Sequence, residues 1–312
     1  MHLIEDLDRI KEPFKNAVIT IGNFDGVHIG HQALFHAVIE KADAIGGTSA
    51  AMTFEPHPIR VLKKNGQPPL ITLFEQKTEL ISQTGIDVLI CIRFDETFAA
   101  ITARQFVEDI LVRRIGTRAI IIGEDYAFGR NREGNVEFLR EYGKTLGFDV
   151  IVAQWISDTF HAGERISSTR VREVVTAGNV EEAWHLLGRY YQVRGRVVSG
   201  RNRGGKLLGF PTANIHLTDE LCPKTGVYAV TVTCKDSKYN GVANIGYSPT
   251  FDDNIFTVEV HILDFNDDIY NEPIRVNFIR RIRDEAKFEN IEALIHQITK
   301  DIEVGREILA NQ

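Results

Sequence analysis

Short apolar runs and helical stretches alternate along the first half of this chain. "AVITIG" (17–22) is typical of a buried strand, and helical spacing of apolar residues begins soon after it. Four further strand candidates are "TSAAMTF" (48–54), "DVLICIRF" (87–94), "RAIIIGED" (118–125) and "DVIVAQW" (149–155). Helical patterns between them include "TLFEQKTELISQTG" (72–85) and "TARQFVEDILVRRIG" (102–116). This alternation predicts an α/β domain in which helices cover both faces of a parallel sheet.

The pattern changes near residue 188, where β-type alternation replaces the helical spacing. Segments such as "GVYAVTVTC" (226–234) and "FTVEVHILDF" (256–265) are separated by Gly, Asn, Asp and Pro, which predicts a small antiparallel β-barrel. A C-terminal helix that docks on the barrel is predicted by the helical spacing of Ile291, Leu294, Ile295, Ile298 and Ile302. We therefore predict two domains, residues 1–187 and residues 188–312.

Composition narrows the class of protein mainly by exclusion. The net charge of −7 gives no support to a nucleic-acid or membrane-surface role, because either role favours a basic face. Cys91, Cys222 and Cys234 form neither a metal-ligand spacing nor a disulfide framework. The N-terminus lacks an apolar signal core, and no run approaches the roughly 18 apolar residues of a membrane helix. We expect a cytoplasmic protein with small-molecule partners and no nucleic-acid or membrane partner, and its oligomeric state stays open.

The segment "GNFDGVHIGH" (22–31) lies where the first strand is followed by a helix. Its glycines let the backbone come close to a ligand, and the helix start near Gly30 offers free N–H groups to an anion. The imidazoles of His28 and His31 could donate hydrogen bonds to a phosphate on which charge develops. Two capping or surface histidines are the alternative interpretation, but H-x-G-H between a strand and a helix favours phosphate binding.

A second anion site is indicated by "ERISSTRVREVV" (164–175). Ser168 or Thr169 can cap the helix that follows, which leaves hydroxyl and N–H groups at its positive end. Arg170 and Arg172 add charge, and the arginine fork suits phosphate geometry. Alone, this motif is an ordinary helix cap with solvated arginines; together with H-x-G-H it indicates a nucleotide site.

These two motifs resemble the H-x-G-H nucleotidylyltransferase superfamily. The flanking "TFEPHP" (53–58) and "GEDYAFGRNREG" (123–134) make the first half similar to the FMN adenylyltransferase module of bacterial bifunctional riboflavin kinase/FAD synthetases. The second half resembles the flavokinase module of that family through "GKLLGFPTANI" (205–215), "ANIGYSPTF" (243–251) and "VEVHILDF" (258–265). The resemblance covers essentially the whole chain, and the motifs occur in the expected order.

For the first domain the resemblance implies that FMN and ATP react to give FAD and pyrophosphate. His28 and His31 would bind the ATP phosphates and stabilise the transition state, and Arg172 would bind the phosphates from the opposite side. Further ATP- and phosphate-binding candidates are Gly22, Phe24, Asp25, Gly30, Ser168 and Thr169. Phe54 would form an apolar wall for the flavin. Asp125 would lie near the nucleotide or the flavin phosphate, and its alternative interpretation is a turn residue.

For the second domain the resemblance implies transfer of the γ-phosphoryl group of ATP to the 5′-hydroxyl of riboflavin. Thr212 and Asn214 share a face if their segment is extended, and their hard oxygens suit Mg²⁺ completed by ATP phosphates. Glu259 would be the catalytic base. Lys206 would bind phosphate as a point charge where the family usually has arginine. From the residues alone, Glu259 is equally an outward-facing strand residue, and Thr212 and Asn214 are equally turn residues.

Three other interpretations of the motifs are possible. "GRNRGGK" (200–206) matches the start of a P-loop, but Leu207 replaces the required Ser or Thr and no helix follows, so a P-loop fold is rejected. "HIGH" (28–31) also occurs in class I aminoacyl-tRNA synthetases, but nothing in this chain resembles a tRNA-binding domain. The remaining alternative is an FMN adenylyltransferase alone, whose C-terminal domain is a non-catalytic flavin-binding or sensor module.

Overall fold

The computed structural model of the protein describes residues 1–63, 66–157, 163–198, 209–217, 219–248 and 255–312. Within it the chain forms two compact units, Met1–Ser168 and Thr169–Gln312. The domain boundary after residue 187 stays a prediction. No helix in the described part of the chain is long and apolar enough to cross a membrane.

Six parallel strands form the sheet of the first unit, in the spatial order β1-β4-β3-β2-β5-β6. These strands are β1 (His2–Ile4), β2 (Ala17–Ile21), β3 (Ser49–Glu55), β4 (Val88–Arg93), β5 (Thr117–Gly123) and β6 (Asp149–Ala153). All five residues of β2 are buried because this strand lies inside the sheet, between β3 and β5. The parallel α/β sheet predicted from the sequence is confirmed.

Helices cover both faces of this sheet. They are α1 (Ile29–Ala44), α2 (Pro58–Leu62), α3 (Phe74–Ser82), α4 (Glu96–Ala99), α5 (Ala103–Gln105) with a π-helical continuation (Phe106–Ile115), and α6 (Val136–Leu146). Side chains of α1 and α3 pack with Val18 of β2 in one apolar cluster. The π-helical segment and α6 pack with Ile19 and Ile21 in a second cluster. Neighbouring β2 residues therefore face opposite helical layers, as strand geometry requires.

The second unit begins with helices and continues as an antiparallel barrel. Its first helices are α7 (Ser168–Ala177, of which Ser168 belongs to the first unit) and α8 (Val180–Leu187). Its strands are β7 (Tyr191–Arg196), β8 (Ala213–His216), β9 (Gly226–Cys234), β10 (Ser237–Ser248), β11 (Ile255–Ile262) and β12 (Pro273–Arg283). They are ordered β7-β12-β9-β10-β11-β8. The N–H of Val198 donates to the carbonyl of Asn214 at 2.9 Å and bridges the two ends of this order. The sheet is therefore nearly closed, which confirms the predicted barrel.

The C-terminal helix α9 (Ile291–Ala310) packs against β9, β10 and β12, so the predicted docking helix is confirmed. Its buried residues include Asp301, whose carboxylate accepts bidentate hydrogen bonds from the guanidinium of Arg283 on β12. One residue departs from the predicted apolar face. Ile291 is 59% exposed, because it is the first residue of the helix and lies ahead of the turns that pack on the barrel.

Candidate functional site

The turn between β2 and α1 has a backbone conformation that residues other than glycine rarely adopt. Phe24, Gly26 and Val27 have φ angles of 49°, 83° and 42°, in the left-handed region. A Cβ on Gly22 would lie 2.8 Å from Cε1 of Phe24, so only glycine fits there. The Phe24 ring is 2% exposed and packs edge-on against Phe35 of α1, with ring centroids 4.8 Å apart. Gly22 and Phe24 therefore shape the turn, and their part in ATP binding stays a prediction.

The two histidines of this turn form a stacked pair at the start of α1. The ring centroids of His28 and His31 are 3.6 Å apart with 19° between their planes. His28 is the N-cap residue of α1, and its Nδ1 accepts the N–H of His31 at 3.3 Å. A neutral imidazole that accepts at Nδ1 carries its proton on Nε2. The His28 ring is thereby set to donate from Nε2, beside the positive end of the helix.

Gly30 gives the H-x-G-H spacing a steric reason. A Cβ at this position would lie 3.2 Å from both Cε1 and Nδ1 of His28, which is closer than ordinary van der Waals contact. Glycine therefore leaves the space in which the His28 ring lies against the first helical turn. The backbone conformation is ordinary here, so this requirement concerns space and not strain.

Asp25 is 3% exposed, and its carboxylate is held by protein donors. It accepts the N–H groups of Ile71 and Thr72, both at 3.1 Å, and lies 3.4 Å from the Thr72 hydroxyl. The carbonyl of Asp25 accepts the hydroxyl of Ser168 at 2.9 Å. Asp25 thus anchors the turn, and Ser168 joins the "ISSTR" segment to the histidine turn. The sequence placed these motifs in one site, and within the first unit they are in contact.

Thr169 and Arg172 lie on α7, in the part of that helix that belongs to the second unit. Arg172 is partly buried. Arg170 forms ion pairs with Glu182 at 2.5 Å and with Glu173 at 3.6 Å, so its charge also serves contacts within the second unit. The phosphate-binding roles of Thr169 and Arg172 stay predictions.

Phe54 lies at the carboxyl end of β3 in an aromatic group. Its ring centroid is 5.7 Å from that of Phe94 and 5.9 Å from that of Phe98. The ring is half-buried, as an apolar wall requires. The nearby His57 caps α2, because its Nδ1 accepts the N–H of Ile59 at 3.2 Å. His57 therefore has a structural role as a helix cap.

Asp125 follows β5 and forms an ion pair that the sequence did not reveal. Its Oδ2 lies 3.0 Å from Nη1 of Arg165. The Arg165 guanidinium in turn lies over the indole of Trp155, 3.1 Å from the ring centroid. Trp155 follows β6, so this stacked group lies at the same edge of the sheet as the histidine turn. Trp155, the aromatic residue that ends the predicted strand "DVIVAQW" (149–155), was the sequence signal that could have pointed to it.

In the second unit, the ladder between β8 and β11 aligns two predicted site residues. Asn214 lies directly opposite Glu259, and Asn244 of β10 lies opposite Glu259 on the other side. Their neighbours Ile215 and Val258 are fully buried on the other face of the sheet. Glu259 is thus an outward-facing strand residue, partly buried beside Asn214. This placement agrees with the plain strand interpretation and also with a base next to a metal ligand.

Thr212 and Asn214 lie close enough to act together. The Asn214 amide nitrogen is 3.3 Å from the carbonyl and 3.5 Å from the hydroxyl of Thr212. His261, which the sequence analysis did not single out, holds the preceding residue, because its Nδ1 lies 2.8 Å from the carbonyl of Pro211. The Phe210 ring packs edge-on against the same imidazole at 5.7 Å. The segment that carries Thr212 is therefore fixed beside β11.

The donor set of this face fits a hard cation. Within the described ranges, no group of three or more His, Cys, Asp or Glu side chains is placed to hold a metal. A hydroxyl, an amide oxygen and nucleotide phosphates are the ligands that Mg²⁺ prefers over nitrogen and sulfur. Thr212 and Asn214 supply two such oxygens. Lys206 and the glycine-rich loop around it (199–208) lie outside the described residues.

Two family models and several curated proteins match this chain. A family model described as FAD synthetase matches residues 10–170, and one described as riboflavin kinase matches residues 187–309. The bifunctional riboflavin kinase/FMN adenylyltransferase of Escherichia coli K12 is 38% identical over 309 residues, covering 98% of this chain and 97% of that protein. The enzyme of the same name from Buchnera aphidicola subsp. Schizaphis graminum is 36% identical over 308 residues, with 97% of each chain covered.

One solved structure is similar over nearly the full length of the chain. It is described as a macrolide-efflux protein from Streptococcus pneumoniae, and it superposes with a TM-score of 0.87 at 34% sequence identity. The match covers 97% of this chain and 98% of that chain. The efflux description concerns that protein alone, since both family models and the two relatives above describe flavin-nucleotide enzymes.

The parallel sheet with its H-x-G-H turn, followed by the antiparallel barrel, defines a two-part nucleotide-dependent transferase. The relatives that match over nearly the full length are named for riboflavin kinase and FMN adenylyltransferase activities. The chain belongs to the family of bifunctional riboflavin kinase/FMN adenylyltransferases. The family, the enzyme class and the link to FAD biosynthesis expected from the sequence motifs are confirmed.

Proposed function

We propose that the chain makes FAD from riboflavin in two ATP-dependent steps, with the residues identified above in the following roles. The observation that carries this proposal is the stacked pair of His28 and His31 at the N-terminus of α1, beside the carboxyl end of β2. Ligands of parallel α/β sheets bind at that edge, and a helix N-terminus favours an anion there. ATP, riboflavin and FMN are the small molecules that the two steps require.

In the adenylyltransferase step, a phosphate oxygen of FMN attacks the α-phosphorus of ATP, and the bond to the leaving pyrophosphate breaks. The imidazoles of His28 and His31 donate hydrogen bonds to the reacting phosphates, where negative charge increases in the transition state. The N–H groups at the start of α1, next to Gly30, serve the same charge. Ser168, Thr169 and Arg172 complete the phosphate contacts in this proposal.

The remaining residues of the first site shape the pockets. Gly22, Phe24 and Asp25 act through the backbone of the turn, which agrees with the burial of the Phe24 and Asp25 side chains. Phe54 contributes an apolar wall for the flavin ring. Asp125, together with the Arg165 that it binds, lies near the nucleotide or the flavin phosphate.

In the kinase step, the 5′-oxygen of riboflavin bonds to the γ-phosphorus of ATP, and the bond to ADP breaks. Glu259 takes the proton of the attacking hydroxyl, a role supported by its position opposite Asn214. Thr212 and Asn214 would hold Mg²⁺, which would supply charge neutralisation at the phosphates, and Lys206 binds phosphate. Positioning supplies most of the remaining catalysis.

We assign the adenylyltransferase to residues 1–187 and the kinase to residues 188–312, which the matched ranges of the two family models support. We also propose that the enzyme works in the cytoplasm. All three cysteines lie in the described residues and are free thiols, which agrees with a reducing compartment.

The test is a chromatographic time course of the purified full-length protein with riboflavin, ATP and Mg²⁺. Native protein should form FMN first and FAD afterwards. His28→Asn keeps a helix-capping side chain but removes the imidazole, and it should slow FAD formation from FMN by roughly 100-fold or more without affecting FMN formation. Glu259→Gln should do the reverse, so each variant is the control for the other.

Two outcomes would contradict the proposal. Native protein that converts FMN to FAD but leaves riboflavin unchanged would favour the alternative in which the second domain only binds flavin. Native rates of FAD formation in His28→Asn would remove the histidine pair from the mechanism.

A further inference from the structure

A buried lysine lies under the first site, and the reaction described above does not use it. Lys77 of α3 is 4% exposed. Its Nζ lies 3.2 Å from the hydroxyl oxygen of Thr53, 3.4 Å from the carbonyl oxygen of Asn23 and 3.5 Å from that of Phe54. An ammonium group has three N–H donors, so each donor has one acceptor here.

These acceptors come from two separate segments of the site. Asn23 belongs to the turn between β2 and α1, whereas Thr53 and Phe54 lie at the carboxyl end of β3. The Thr53 hydroxyl also donates to the carbonyl of Asn23 at 3.2 Å, so the two segments are joined directly as well as through Lys77. The ammonium and this hydroxyl together fix the spacing between the histidine turn and the Phe54 wall.

The electrostatic environment of Lys77 indicates a role beyond packing. Burial lowers the pKa of Lys77, and the nearby acidic groups of Glu55, Cys91 and Asp25 act in the opposite direction. Burying an amine costs free energy that an apolar side chain of similar volume avoids. A lysine at such a place is therefore explained by what its three hydrogen bonds hold in position.

We propose that Lys77 is a positioning residue of the adenylyltransferase step, an inference that rests on the roles proposed above for the histidine turn and Phe54. Its ammonium locks the turn that carries the ATP-binding residues to the strand end that carries the flavin wall. The FMN phosphate and the α-phosphorus of ATP then meet in line. Neither substrate touches Lys77, so its loss affects the alignment of two bound substrates more than the binding of either one.

The experiment measures both activities of full-length Lys77→Met, which keeps the length of the side chain but removes the charge and the donors. We expect kcat for FAD formation to fall at least tenfold, because a misalignment of about 1 Å can cost up to 100-fold in rate. The KM values for ATP and FMN should stay within about threefold of native on the same reasoning. Riboflavin kinase activity in the same preparation should be unchanged. Lys144→Met, at an exposed position of α6, is the matched control and should behave as native.

A second pair of variants keeps the test decisive if Lys77→Met does not fold. Thr53→Val removes the linking hydroxyl with little change of volume and should also lower kcat for FAD formation, whereas Thr53→Ser keeps the hydroxyl and should retain most of it. A native kcat in either Lys77→Met or Thr53→Val would overturn the inference. Equal loss of both activities in a folded Lys77→Met would also overturn it. Native protein that forms no FAD from FMN would refute the proposed function itself and not only the role of Lys77.

Discussion

Gly30→Ala should separate the stability of the first unit from its catalysis. The new methyl group would lie 3.2 Å from Cε1 and Nδ1 of His28, tighter than most such contacts, while the next neighbour, the carbonyl oxygen of Ile166, is an ordinary 3.8 Å away. The imidazole would therefore have to move by a few tenths of an ångström. That movement would change the stacking on His31, whose ring centroid is 3.6 Å away in the native arrangement.

The two effects of this substitution have opposite signs. Alanine is a better helix former than glycine by about 1 kcal/mol in a helix interior, and we expect a smaller gain at this second residue of α1. Since a displacement of about 1 Å can cost up to 100-fold in rate, a shift of a few tenths should lower kcat/KM for FAD formation roughly three- to tenfold. The folded state should thus be as stable as native or slightly more stable, while the reaction slows.

The assay combines urea unfolding with steady-state FAD synthesis on one preparation. Riboflavin kinase activity is the internal control, because the substitution lies in the first unit. Unchanged kcat/KM for FAD formation would refute the idea that Gly30 leaves room for a catalytically required ring position. A loss of unfolding free energy greater than about 2 kcal/mol would refute the steric reasoning, since backbone strain or a larger clash would then dominate.

Two further predictions concern the second unit. Burial raises the pKa of Glu220 from 4.5 to about 7, so this carboxyl binds its proton more tightly in the folded than in the unfolded chain. The stability that the neutral carboxyl contributes is lost as pH rises through 7. The urea midpoints of Glu220→Gln should therefore exceed native ones increasingly between about pH 5 and 8. A constant difference across that range would contradict the shift. Asp301→Ala should lower the unfolding free energy by about 3 kcal/mol because it leaves the Arg283 charge without its carboxylate, and adding Arg283→Met should restore much of the loss. No recovery in the double variant, measured by urea unfolding, would show that packing of α9 and not the ion pair is responsible.

Local patterns were sufficient to predict much of the fold and one part of the site. The apolar run of β2, the glycines after it and the H-x-G-H spacing lie within 15 consecutive residues (17–31), so their structure follows from neighbouring positions. The strand β1 was missed because its three residues, His2–Ile4, are too few to show a period. It pairs with β4 through contacts that only the folded chain supplies.

The contacts of Lys77 and Glu259 could not be predicted in the same way. A lysine within a helical pattern is typical of an exposed face, and two of the acceptors of Lys77 are backbone carbonyls, which residue types do not reveal. The alignment of Glu259 with Asn214 depends on the register of two strands that are distant in sequence. Register is set by the assembled sheet, so the sequence could name both residues but not their distance.

The hydroxyl of Ser168 bonds to the carbonyl of Asp25 across 143 positions of the chain. During synthesis at about 5–20 residues per second, the ribosome needs roughly 7–30 s to travel between these two residues. The histidine turn thus emerges long before the partner that ties it to the second phosphate motif. A nascent chain shorter than 168 residues lacks this bond, so the nucleotide site proposed above is still incomplete. On the roles proposed above, ATP binding at this site therefore has to wait until the first unit has been synthesised.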